Sequence, residues 1–187
     1  SEMCIRDSLR AILNKENGLL PPKGLLSHVG ILESPNYHKL LFLTDMAVLP
    51  LPDFRQKIKQ TNFVVKVAKS FGIAKPKVAF LAASEQVLDS MPACMEAAAL
   101  AKMVDRGQIR GCIADGPLAL DVAIDNESVE IKKLVSPVAG DADCLVFPNI
   151  ESANVFWKTN SKLSPGVRQA GMLVGTTAPC ILASRAD

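Results

Sequence analysis

The chain has 187 residues, 49% hydrophobic and 21% charged, a balance that fills a packed core and excludes collagen-like and disordered classes. Its 21 Lys and Arg face 19 Asp and Glu, a net charge of +2 without an aromatic-interleaved basic cluster, which leaves nucleic-acid binding without a footprint. No apolar run approaches the ~20 residues of a membrane-spanning helix, and the five cysteines include no C-x-x-C pair, the pattern of free thiols in a cytoplasmic protein.

Ser1 to Ser8 has no periodicity and reads as a scar outside the fold. Leu9 to Asn17 is expected as a short helix closed by Gly18, after which Pro21, Pro22 and Gly24 break the chain. The apolar runs His28 to Leu32 and Leu40 to Thr44 flank Ser34-Pro35-Asn36 and predict two strands joined by a turn. Pro52 is placed in the first turn of a helix running to about Phe71. Phe54, Ile58, Thr61, Val65 and Ala68 form its inner face, Lys57, Lys59, Lys66 and Lys69 point elsewhere, and Gly72 stops it. Lys77 to Ala82 reads as a strand buried on both faces. Ser90 is expected to cap a helix from Met91 to Arg106, with Ala97, Leu100, Ala101 and Val104 inward and Gly107 as its stop. A strand at Ile109 to Ala114 and a helix after Gly116-Pro117 follow. A strand at Asp143 to Phe147, a helix from about Glu151 to Lys162, and strands at Gly171 to Val174 and Cys180 to Ala183 complete the series.

This alternation defines an α/β fold of three layers, a largely parallel sheet with helices on both faces. Ligands of such sheets bind at the carboxyl ends of the strands. The rule selects Ala82 to Glu85, Ala114 to Pro117, Pro148 to Ile150 and Ala183 to Arg185. At the last of these, Ser184 can donate to an oxyanion and Arg185 offers a fork for phosphate oxygens, while Ser184 fits a plain helix N-cap equally well. Gly116-Pro117 allows close backbone approach, or serves only as a tight structural turn. Asp141 and Asp143 read as solvated or capping acids because no third ligand with metal spacing accompanies them. His28 and His38 read as structural or surface residues, and Trp157 with Phe156 as a helix-to-sheet contact. Gly166, Gly171 and Gly175 form neither a dinucleotide nor a Walker pattern.

A further set of segments acts in combination. Ser27-His28-Val29, Leu43-Thr44-Asp45, Pro76-Lys77-Val78-Ala79, Gly107-Gln108-Ile109, Asp115 to Asp121, Ser136 to Asp143, Pro148 to Glu151 and Ser184 to Asp187 occur in an order that resembles the phosphate acetyl/butyryltransferase family, nearest its phosphate butyryltransferase branch. The resemblance implies a two-domain architecture like that of isocitrate/isopropylmalate dehydrogenase, incomplete here. Residues 1–24 would be a scrap of a first domain, 25–163 a second α/β domain, and 164–187 a return into the first. It implies exchange of a butyryl or acetyl group between coenzyme A and inorganic phosphate by a homodimer, with coenzyme A as substrate and no metal or other cofactor. The chain as it stands is expected to be inactive or impaired. Ser184 would stabilise the reacting acyl group, Arg185 would hold phosphate, and Gly116, Pro117 and Asn154 would contact substrate. The family's proposed base, an aspartate, falls beyond Asp187. Two departures stand out: Leu20 follows Gly18-Leu19 where the family has arginine, and Ala153 precedes Asn154 where it commonly has glycine. Competing expectations are a dehydrogenase-like enzyme on a similar two-lobed scaffold and a non-catalytic dimerising piece.

Overall fold

The structure is a computed structural model and describes residues 9–181. Residues 9–12 are helical, but the turn ends there: the Asn14 side chain accepts the N–H groups of Glu16 and Asn17 at 2.9 and 3.1 Å. Such a local side-chain turn competes with helix, so Gly18 does not act as the left-handed closing residue.

β1 (Ser27–Glu33) turns through Ser34 to Tyr37 into β2 (Leu41–Thr44), and the two pair antiparallel with Gly30 opposite Leu43, as the spacing predicts. Helix α1 (Phe54–Ser70) follows, opened by an Asp53–Gln56 capping box with both bonds at 2.8 Å. Pro52 therefore lies before the cap. The buried face comprises Lys57, Gln60, Thr61, Val64, Val65, Val67 and Ala68, so Phe54 is left at the surface and Lys57 turns inward, against expectation. Gly72, at φ +92°, ends the helix as expected.

β3 (Lys77–Leu81) leads to α2 (Pro92–Asp105), which starts at Pro92 behind a Met91 N-cap, one residue after the expected Ser90. β4 (Ile113–Leu118) begins four residues later than the expected strand. Ile109 and Cys112 are apolar because they are buried against the core, not because they lie in a strand. Gly116 and Pro117 consequently fall inside β4, and the junction to the next helix is at Ala119. That helix is two: α3 (Leu120–Ile124) and α4 (Asn126–Lys132), divided at Asp125, whose carboxylate caps α4 through Ser128 N–H. β5 (Cys144–Val146), α5 (Ile150–Leu163) and β6 (Arg168–Val174) complete the described elements.

The six strands form one sheet in the order β4-β3-β5-β2-β1-β6. β4, β3, β5 and β2 are mutually parallel; β1 runs against them, and β6, paired antiparallel to β1 from Arg168 to Val174, runs with them again. Period-two alternation divides the core. Phe42, Val78, Phe80, Cys144 and Val146 face α1 and α2, while Leu43, Ala79, Leu81 and Leu145 face α3 and α5, where Trp157 packs. Each fully buried Leu or Phe here contributes about 1.5–3 kcal/mol. Cys94, Cys112 and Cys144 are buried free thiols and Cys180 is half-buried. Among the described residues no helix is long and apolar enough to cross a membrane.

Candidate functional site

The parallel strands bring their carboxyl ends to one edge, where β1 also begins and β6 ends. The polar centre of that edge is Asp45, 3% exposed, directly after β2. Its Oδ1 accepts the N–H groups of Ala47 (2.8 Å) and Val48 (2.9 Å). Its Oδ2 accepts the Ser27 hydroxyl (2.8 Å) and the N–H groups of His28 and Leu49 (both 3.2 Å). These bonds offset the cost of burying a carboxylate. Ser27 gives its one proton to Asp45, so Gln60 Nε2 must donate to the Ser27 oxygen, at 3.4 Å. Gln60 Oε1 and Thr44 Oγ1 are then buried without a partner among the described residues.

His28 is buried beside this centre, and desolvation pushes its pKa down against the opposing pull of Asp45, which keeps the ring neutral near pH 7. Its Nδ1 lies 2.6 Å from Met46 Sδ. The ring fits because Gly171 has no side chain: a Cβ there would stand 2.6 Å from His28 Nε2. Gly30, paired with Gly171, leaves space in the same way for Trp157 and Met46.

On the α1 side of the edge, Lys57 and Glu96 form a largely buried ion pair beside a small, open recess lined by Phe80, Val146, Phe147 and Pro148. Loop 82–85 is tied down by Lys132, which bridges Glu85 (2.9 Å) and Asp121 (2.8 Å).

Of the site residues expected from sequence, Asn154 lies at this edge, exposed on α5, with Nδ2 donating to Met46 O at 3.0 Å. Pro117 is buried within β4, and Gly116 packs so closely that a Cβ would meet Phe80 Cβ at 2.7 Å and the Phe80 carbonyl oxygen at 2.9 Å. β4 is three strand spacings from β2, roughly 14 Å, so these residues and Asn154 are not brought together. Ser184 and Arg185, with Ala183 and Asp187, lie outside the described residues. Leu20 joins a small apolar cluster with Ile12, Leu26, Val48 and Leu173, and the Ala153 methyl is fully buried under α5.

Sequence reasoning missed Asp45, Ser27 and Lys57. The rule on strand ends would have found Asp45 had β2 been placed beside β5, and Lys57 belongs to the buried stripe that continues through Gln60, Thr61 and Val64.

At the opposite edge the acids are filled. Asp141 binds Lys39 (2.8 Å), Lys77 (2.8 Å) and His38 (2.7 Å), and Asp143 binds Lys39 (2.8 Å) and the N–H of Lys77 (2.7 Å). Burial disfavours the Asp141 charge, but the bonds from Lys39, Lys77 and His38 outweigh it and hold that carboxyl well below the usual range.

This is a mixed α/β sheet whose buried polar groups gather where its parallel strands end, the edge at which ligands bind in sheets of this class. A family model described as phosphate acetyl/butaryl transferase matches residues 2–187, and the chain belongs to that family. It is 48% identical over 179 residues to the phosphate butyryltransferase of Clostridium acetobutylicum, and 50% identical over 179 residues to that of Clostridium beijerinckii. Each match covers 96% of this chain and 59% of the relative, so the chain spans about three-fifths of the length of these curated relatives. The branched-chain phosphotransacylase from Enterococcus faecalis V583 superposes with a TM-score of 0.87 at 33% identity, covering 96% of this chain and 63% of that one. These matches favour the acyltransferase resemblance over the dehydrogenase-like alternative.

Proposed function

We propose that this protein exchanges a short acyl group, butyryl or acetyl, between coenzyme A and inorganic phosphate in the cytoplasm. The observation that carries the reading is the match along 96% of the chain to the phosphate butyryltransferase of C. acetobutylicum. The polar carboxyl edge supports it, because acyl transfer needs fixed donors and acceptors to hold two substrates.

In this reading a phosphate oxygen attacks the thioester carbonyl, the C–S bond breaks, and the thiolate leaves and takes a proton, giving acyl phosphate and coenzyme A. The balance requires no metal or redox cofactor. Ser184 donates to the carbonyl oxygen as it gains charge, Arg185 holds the phosphate, and Asn154 contacts coenzyme A, with Gly116 and Pro117 closing the β4 side of the edge. A homodimer is part of the proposal, and sedimentation velocity tests it.

The activity test follows phosphate-dependent thiol release from butyryl-CoA, by this chain and by a version extended to its relatives' length. Release is expected in the extended version and weak or absent in the 187-residue chain. In the extended version Arg185→Ala should raise KM for phosphate about tenfold or more with an unchanged Tm. Equal loss of activity and stability would remove Arg185 from the site, and a folded extended protein without release would refute the transferase reading.

A further inference from the structure

We infer that Asp45 is a positioning residue for Asn154, acting through the loop 45–50 that its carboxylate folds. Asp45 Oδ1 holds the N–H groups of Ala47 and Val48 at 2.8 and 2.9 Å, and Oδ2 holds that of Leu49 at 3.2 Å, so the backbone on the far side of Met46 is wrapped around one carboxylate. The same Oδ2 accepts the Ser27 hydroxyl and His28 N–H, which anchors the loop to the start of β1. The loop then grips α5 twice: Met46 O accepts Asn154 Nδ2 at 3.0 Å and Pro50 O accepts Ile150 N–H at 2.9 Å.

A carbonyl oxygen only accepts, so the bond from Met46 fixes which end of the Asn154 amide faces inward. With Nδ2 committed to Met46 O, Oδ1 is the remaining acceptor of an amide exposed at this edge, held in place by a carboxylate it does not touch. Its complement is a hydrogen-bond donor on the substrate. Under the acyl-transfer reading, on which this assignment of ligand rests, the amide N–H groups of coenzyme A's pantetheine arm are donors of that class.

The test uses three variants of the full chain extended as above. Asn154→Ala and Asp45→Asn are each expected to raise KM for butyryl-CoA about five- to tenfold, the worth of one hydrogen bond, with kcat little changed. The double variant should be no worse than the larger single effect, because both changes remove the same contact. A merely unstable protein would lose kcat through its active fraction at unchanged KM. Independently, the Asn154 side-chain NH₂ resonances should move in Asp45→Asn to those of a solvated amide. Where Asp45→Asn does not fold, Ser27→Ala removes one hydroxyl donor and should shift the same resonances in the same direction. Single effects on KM that multiply in the double variant, or Asn154 resonances that stay in place, overturn the positioning role. Absence of transfer in the unmutated protein would sink the acyltransferase reading alone, since the resonances judge the positioning separately.

Discussion

The two ends of the sheet use charge in opposite ways. At the amino ends of the parallel strands, Lys39 and Lys77 neutralise Asp141 and Asp143, with His38 hydrogen-bonded to Asp141, in a half-exposed network that consumes its own bonding capacity. At the carboxyl ends, Asp45 is buried and the Lys57–Glu96 pair largely so, and Gln60 Oε1 and Thr44 Oγ1 remain without partners among the described residues. A self-satisfied network holds strands together. An edge that buries charge beside unsatisfied acceptors costs stability, and that cost is tolerated where it organises a site.

The contrast can be broken from either end, and the largest effect is expected at Lys57. Lys57→Ala leaves Glu96 without its counter-charge in a partly buried position and should destabilise by about 3 kcal/mol in urea unfolding. Adding Glu96→Leu to Lys57→Met should recover most of that loss; no recovery would mean the pair itself stabilises the fold. Next comes Gly116→Ala, whose methyl would press on the Phe80 backbone, with an expected cost of about 1–3 kcal/mol in the same measurement. The smallest effect belongs to the amino end. Asp141→Asn should cost about 1 kcal/mol at pH 7 after solvent screening, since the Asp141 side chain is 39% exposed. The folded carboxyl is held below its unfolded value, so this contribution is present above about pH 4 and is lost as pH falls toward the folded value. The gap in Tm between the two proteins should therefore narrow steadily as pH falls from about 4 to 2.5. A constant gap would assign the effect to packing.

Local signals carried much of this fold. The β1–β2 turn, the β3 run behind Pro76, the inner face of α2 and the Gly72 and Gly107 stops were legible because turn residues and periodicity act within a few residues. What escaped depends on distant partners. Ile109 and Cys112 are apolar for tertiary reasons and drew the β4 boundary too early. The pairing of Phe42 with Cys144 joins segments about a hundred residues apart, and without it β2 looks like one arm of a hairpin whose end carries no ligand. Residue type alone points Lys57 to solvent, whereas its helical position places it beside Gln60 and Thr61. The sequence makes Asp141 and Asp143 solvated or capping acids; instead both pair with lysines from the starts of other strands and Asp143 is buried, because those partners lie about a hundred and about sixty residues away along the chain.

The most direct test of the difference between the two ends is an amide chemical-shift titration of the chain with coenzyme A. Shifts are predicted to gather at residues 45–50, at Asn154 and in loop 82–85, with the Lys39, Lys77 and Asp141 amides unmoved. Perturbations centred on the Asp141 network, or none at saturating coenzyme A, would contradict the assignment of the carboxyl edge as the working end.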